Sequence, residues 1–438
     1  MKKFDIPFYY KSPVISIVKN YRKLQDPRKK DYSPSVLDFG PVRFLIARHF
    51  GFCYGVENAI EIAYKSLEQN KDKRIFLLSE MIHNPNVNED LRSRGVQFIR
   101  EHTGNQLIDW DKLNPDDIVI VPAFGTTLEI QQILKERGID PYKYDTTCPF
   151  VEKVWNRAET LGTKEYTIIL HGKYTHEETI ATFSHSQKNS PTVIVRDLPE
   201  AKQLANIVSG KLPAESFYEI FNNKYSPGFD VNKDLQRVGV VNQTTMLASE
   251  TQAIADLFRK TMEVKYGEEN INEHFADTSD TLCYATYDNQ LATLGLIESK
   301  ADFAIVVGGY NSSNTSHIVE LVEEKLPVYF ISGADKIISD KEISHFDIHS
   351  QRELRSRDWM DANTNDERKK FGGLVSDSDE SKKYGEIKNG KPVDIILTSG
   401  ASCPDAILDE VLQKIVSFFP DVKSVDEVLR PYKIEFRS

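Results

Sequence analysis

Residues 302–326 read DFAIVVGGYNSSNTSHIVELVEEKL. An unbroken apolar run ends in a loop of glycine, serine and asparagine, and apolar residues then return at helical spacing. This is a strand, a polar loop and a helix. A run with no polar alternation suits a parallel strand covered on both faces. The pattern recurs along the chain in RIFLLSEMIHNPNV (74–87), DIVIVPAFGTT (117–127), YTIILHGKYTHEET (166–179), VGVVNQTTM (238–246) and DIILTSGASCPD (394–405). Amphipathic stretches such as TTLEIQQILKERG (126–138) and ASETQAIADLFRKTMEVKYG (248–267) lie between them. The expected fold class is α/β with mainly parallel sheets.

The loops pair off behind three cysteines. Cys53 precedes the loops at His83 and Phe124, Cys148 those at His176 and Thr244, and Cys283 those at Asn314 and Ser402. Three similar α/β domains are therefore predicted, over 43–146, 147–281 and 282–422. Residues 1–42 read as an N-terminal extension, either an ordered arm or a loose one, and 423–438 as a tail. Residues 211–236 and 352–391 are polar and aperiodic and read as insertions or mobile loops.

The chain has 438 residues and a net charge of −11, with 40% hydrophobic and 28% charged residues. These values describe a soluble protein without a membrane span, and the charge argues against nucleic acid as the main partner. The N-terminus lacks the core of a signal peptide, which points to the cytoplasm. The four cysteines, at 53, 148, 283 and 403, form no Cys-x-x-Cys pair, so zinc-ribbon, thioredoxin-like and ferredoxin-type spacings are absent.

In parallel α/β domains ligands bind beyond the carboxyl ends of the strands. There the loops offer histidines (His83, His176) and small hydroxyl and amide groups in NQTT (242–245), NSSN (311–314) and GAS (400–402). Single Ser, Thr and Asn residues cap helices everywhere. Many of them together, with two histidines, suit an anion such as a phosphate. Cys53 in GFCYGV, Cys148 in DTTCPF and Cys283 in TLCYAT each sit one turn before a helix, a position that favours thiolate. Three thiolates are able to hold zinc with a water, or an iron–sulfur cluster with one iron left open.

The motifs GFCYGV (51–56), IHNPNV (82–87), TTCPFV (146–151), THEET (175–179), NQTT, CYAT (283–286), NSSNTSH (311–317) and GASCPD (400–405) resemble, in order, those of the 4-hydroxy-3-methylbut-2-enyl diphosphate reductases, the LytB/IspH family. The resemblance implies three α/β domains in a pseudo-threefold arrangement around a central 4Fe-4S cluster with three cysteine ligands and one open iron. It implies reductive dehydroxylation of an allylic diphosphate to isopentenyl and dimethylallyl diphosphates, the last step of the methylerythritol phosphate pathway, with ferredoxin or flavodoxin as electron donor. Cys53, Cys148 and Cys283 would hold the cluster. Glu178 would deliver protons and Thr244 would bond the substrate alcohol. His83, His176, Ser312, Ser313, Asn314 and Ser402 would hold the diphosphate. A buried carboxyl beside a diphosphate has a raised pKa, which suits a proton donor.

One position departs. Many bacterial members carry histidine where this chain has Phe124, in PAFG (122–125). That form is similar to plant and cyanobacterial members. Backbone N–H groups, Thr126 or Thr127 are expected to supply the missing donor. Cys403 reads as a packing residue, and so do His171, His185 and His317, with a surface position as the alternative for the histidines. The competing readings are a zinc protein, a sugar- or nucleotide-binding module, and a cysteine hydrolase built on Cys53.

Overall fold

A computed structural model of the chain describes residues 4–276, 281–360 and 391–433. The quoted stretch forms the strand Phe303–Val307, buried throughout, and the helix Ser313–Glu323. The strand pairs parallel with Val328–Ile331 on one side and Val393–Ser399 on the other. Val42–Ile46 adds a fourth parallel strand beside Val393–Ser399. Antiparallel neighbours close both edges: Ser35–Asp38 beyond Val42–Ile46, and Glu342–Asp347 then Arg352–Arg357 beyond Val328–Ile331. The result is one seven-stranded sheet. It belongs to a compact unit made of Asp5–Cys53, His83–Pro85 and the chain from Asp288 onward.

A second unit holds Tyr54–Ile82 and Asn86–Tyr287, and it contains two smaller sheets. In one, Gln97–Phe98, Ile75–Leu77 and Ile118–Ile120 pair parallel. In the other, Thr192–Val195, Thr167–His171, Val238–Asn242 and Phe275–Ala276 pair parallel. The central strands are buried along their whole length, because helices cover both faces. The fold is thus α/β with mainly parallel sheets, and the predicted loops all follow the carboxyl ends of strands.

The boundary expected at 43 falls inside a hairpin. Val42–Ile46 aligns with Val393–Ser399, and Arg43 forms a two-pronged ion pair with Asp394 at 2.6 and 2.5 Å. The N-terminal segment is an ordered arm: Pro13–Gln25 is a helix capped by Ser12, with Ile15 and Val18 buried. The segment 211–236, read as an insertion or a mobile loop, is packed. Phe217, Phe221, Phe229, Val231 and Leu235 enter the core, and Phe217 stacks on Phe229 at 4.8 Å. Phe217, Phe221, Tyr225 and Phe229 recur every four positions, but the helices there, Ser216–Ile220 and Val231–Asp234, are short and set among polar residues, so the pattern does not stand out. Of the second insertion, Arg352–Arg357 is a strand and Trp359 is fully buried, while 361–390 lie outside the described residues. In the tail, Val425–Leu429 is a helix with a Ser424–Glu427 capping box. Among the described residues no helix is long and apolar enough to cross a membrane.

Candidate active site

Each candidate cysteine stands at the start of a helix. Cys53 precedes Tyr54–Gln69, Cys148 is the N-cap of Pro149–Gly162, and Cys283 precedes Tyr284–Ile297. Gly55, in the first turn of its helix, lies against Cys148. A Cβ at Gly55 would stand 2.5 Å from Cys148 Sγ, so only glycine fits. Phe150 meets Tyr284 edge-on at 4.9 Å, which brings the starts of the second and third helices together. Cys53 donates its N–H to Ala401 O at 3.2 Å. Burial pushes the Cys283 thiol up, against the pull of N–H groups at Thr286 and Ala285. The thiolate expected from its helix position is therefore opposed by desolvation, and a bound cation would be needed to restore it. Cys403 is fully buried, its thiol is pushed far up, and its S–H reaches Pro404 O. It is a packing residue.

The proton-bearing candidates lie on the four-stranded sheet of the same unit as Cys148 and Cys283. Helix Glu177–Gln187 follows Thr167–His171, and His176 is its N-cap. His176 Nδ1 accepts the N–H of Glu178 at 3.2 Å. A ring nitrogen that accepts is unprotonated, so in the neutral ring Nε2 carries the hydrogen. Glu178 is 2% exposed, and its Oε1 accepts the Thr244 N–H at 2.5 Å. Burial raises this carboxyl to about 7, against the bonds from the N–H and hydroxyl of Thr244. The Glu178 charge in turn adds to the rise of the Cys283 thiol. Sequence reasoning did not single out Gln243. Its Oε1 accepts from Lys173 N–H and the Thr179 hydroxyl at 3.1 and 2.9 Å, and its amide donates to Thr245. It ties the two loops that present Glu178 and Thr244.

Phe124 meets His176 edge-on at 5.8 Å. The Thr127 hydroxyl caps helix Leu128–Glu136 by accepting from Ile130 N–H at 3.3 Å, a bond that uses a lone pair and not its O–H. The Thr126 carbonyl bonds the His185 ring, which is stacked on Trp155 at 3.7 Å. His171 is also buried, bonded to Thr251, and His317 to Glu320.

The other unit gathers the remaining anion-binding candidates. Ser312 caps helix Ser313–Glu323 by accepting from Thr315 N–H. The Ser402 hydroxyl donates to His83 O at 3.1 Å and lies 3.5 Å from Ser312 Oγ. Asn311 Nδ2 lies 3.2 Å from His83 Nδ1 and donates to it, so in the neutral ring Nε2 carries the hydrogen there too. Asn311 was not foreseen, since nothing in its spacing separates it from an ordinary loop asparagine. Asn314 Oδ1 accepts from Ala401 N–H at 2.8 Å. Its Nδ2 and the Ser313 hydroxyl are buried without a partner. Unpaired buried donors at a helix start are costly unless an anion meets them. Among the described residues no three His, Cys, Asp or Glu side chains are gathered closely enough to hold a single metal ion.

A relative from Gloeobacter violaceus, 37% identical over 90% of this chain and 89% of its own, is a 4-hydroxy-3-methylbut-2-enyl diphosphate reductase. One of the same name from Thermosynechococcus vestitus is 40% identical over 86% of this chain and 85% of its own. The fold matches that of the E-1-hydroxy-2-methyl-but-2-enyl-4-diphosphate reductase from Plasmodium falciparum, with TM-score 0.56 and 22% identity over 84% of this chain and 86% of that one. The model of the LytB protein family matches residues 44–416, and the chain belongs to that family.

Proposed function

We propose that this protein is a 4-hydroxy-3-methylbut-2-enyl diphosphate reductase, which removes the allylic hydroxyl of its substrate to give isopentenyl and dimethylallyl diphosphates, the last step of the methylerythritol phosphate pathway. The observation that carries this reading is the buried Glu178 carboxyl, held by the Thr244 N–H at 2.5 Å, with a charge that also pushes up the Cys283 thiol. A proton carrier tuned near neutrality beside a metal-ligating sulfur is what a reductive loss of hydroxide needs.

The residues fit an iron–sulfur group. Three thiols stand at helix starts, and the missing Cβ of Gly55 lets the Cys148 side chain sit against the first turn of the helix that follows Cys53. Cys53, Cys148 and Cys283 would hold a 4Fe-4S cluster. When bound, it supplies two electrons and an open iron that acts as a Lewis acid. Ferredoxin or flavodoxin is the class of donor that would refill it.

The reaction balances as an alcohol plus two electrons and two protons giving a hydrocarbon position and water. Glu178 holds a proton below about pH 7 and passes it to the leaving oxygen. Thr244 orients both that carboxyl and the substrate alcohol. His83 and His176 each present Nε2–H to the diphosphate, and Ser312, Ser313, Asn314 and Ser402 complete its donors. Burial of Glu178 keeps water from competing for the proton.

Anaerobic turnover of the allylic diphosphate with a chemical reductant tests this reading, together with iron and acid-labile sulfide analysis. A brown protein that forms both products supports it. A colourless zinc protein without turnover overturns it.

A further inference from the structure

The N-terminal helix Pro13–Gln25 lies outside the residues matched by the family model, and the proposed chemistry leaves it without a task. It is nonetheless tied to the loops that matter. The Ser12 hydroxyl donates to Asp409 Oδ2 at 2.5 Å, so the helix start is fastened to helix Asp405–Val416. Two turns on, Lys19 Nζ donates to Asp405 Oδ1 at 2.6 Å and to Phe50 O at 3.0 Å. The same ammonium sits 4.3 Å over the Phe50 ring. Its three donors thus face a carboxylate, a carbonyl and an aromatic face.

These partners are not scattered. Phe50 opens the turn that ends at Cys53, and Asp405 follows the loop that carries Ser402. The two segments already share the bond from Cys53 N–H to Ala401 O. Gly51 makes the closure possible. Its φ is +75°, and a Cβ there would run into Asp405 Oδ1 and Lys19 Nζ. An isolated surface ion pair contributes little. This one differs because the side chains are 31% and 19% exposed and the lysine also satisfies a main-chain carbonyl.

We propose that Lys19 is a positioning residue of the N-terminal arm, which locks the Cys53 turn to the Ser402 loop through Phe50 and Asp405. The arm thereby sets where one candidate ligand and one candidate diphosphate donor stand. The lock itself is a matter of backbone order. Its effect on a cluster rests on the proposed function.

Hydrogen–deuterium exchange on the purified full chain tests the lock. In Lys19→Met, which keeps the apolar stem, residues 50–53 and 401–405 are expected to exchange several-fold faster, with the rest of the chain unchanged. Lys19→Arg, which keeps the donors, restores protection, and Asp405→Asn reproduces half of the defect. Unchanged protection in Lys19→Met overturns the proposal, and so does loss of protection spread over the whole chain. On the iron-loaded protein, Lys19→Met should release iron to a chelator several-fold faster than wild type. A wild type without iron and sulfide defeats the functional reading, while the exchange result still judges Lys19.

Discussion

Glu178 Oε1 accepts the backbone N–H of Thr244 at 2.5 Å, across the loops of two adjacent parallel strands. Burial alone would drive this carboxyl higher than the about 7 it reaches. The Thr244 N–H and hydroxyl pull it back, so the pair sets a proton carrier that gives and takes near neutrality.

The raised pKa fixes the sign of a pH effect. Protonated Glu178 is complete well below pH 7 and is lost as pH rises through about 7, so kcat should fall across that range. Glu178→Gln should lower kcat by roughly 10²–10⁴-fold and remove the limb. Full activity in that variant, assayed anaerobically with a chemical reductant, would remove Glu178 from the proton path.

Ser313 Oγ has no partner within the protein, so Ser313→Ala should leave the melting temperature unchanged. Losing one hydrogen bond to a charged ligand costs about 1.5–3 kcal/mol, a rise in KM of roughly tenfold or more. An unaltered KM would show that this hydroxyl does not meet the diphosphate. Asn314→Asp keeps the acceptor for Ala401 N–H but replaces the free donor with a negative charge. It should weaken binding more than Ser313→Ala does.

Gly55→Ala tests the cradle at Cys148. Alanine in place of glycine inside a helix ordinarily stabilises by about 0.5–1 kcal/mol. Here the new Cβ would stand 2.5 Å from Cys148 Sγ, and the sign should reverse: a lower melting temperature and less iron retained per chain. A more stable variant with full iron would mean that the close approach is unimportant.

Glu177 gives a separate stability test. Burial pushes this carboxyl up to about 8 against a bond from Ser79 and the nearby His102 and Arg100, with Glu80 adding to the rise. Oε2 is enclosed without a partner, although the residue as a whole keeps some surface. In an unfolded chain it titrates near 4.3. Stability from the retained proton is therefore complete below about pH 4.3 and lost as pH rises to about 8. Glu177→Gln should match wild type in acid and exceed it by about 2–3 kcal/mol above pH 8. Unfolding midpoints in guanidinium at several pH values would reveal this, and a difference that does not vary with pH would contradict it.

The strands and the helix starts at the cysteines were legible because each depends on neighbours in sequence. Phe303–Val307 is apolar at every position, and Cys148 is followed at once by Pro149, a residue suited to a helix start. What escaped depends on distant partners. Nothing near His83 says that its ring meets Asn311. Nothing near Thr127 says that its hydroxyl caps its own helix by accepting from Ile130 N–H, since a cap and a ligand donor favour the same residue. Phe217 and Phe229 looked like parts of a loop because the helix that carries Phe217, Ser216–Ile220, is too short to stand out among its polar neighbours. Cys283 was expected as a thiolate from its helix position, and the weight of burial was not visible in one dimension.

The pairing of Val42–Ile46 with Val393–Ser399 joins residues such as Arg43 and Asp394, 351 positions apart. Closing so long a loop is slow, and synthesis proceeds from the N-terminus at about 5–20 residues per second. The strand just ahead of Cys53 therefore leaves the ribosome well before its partner and waits for it. During that interval it exposes an unpaired edge, the feature that chaperones shield and that aggregation exploits. Val42–Ile46 is thus secured on this side only after a strand 351 positions further along has been made.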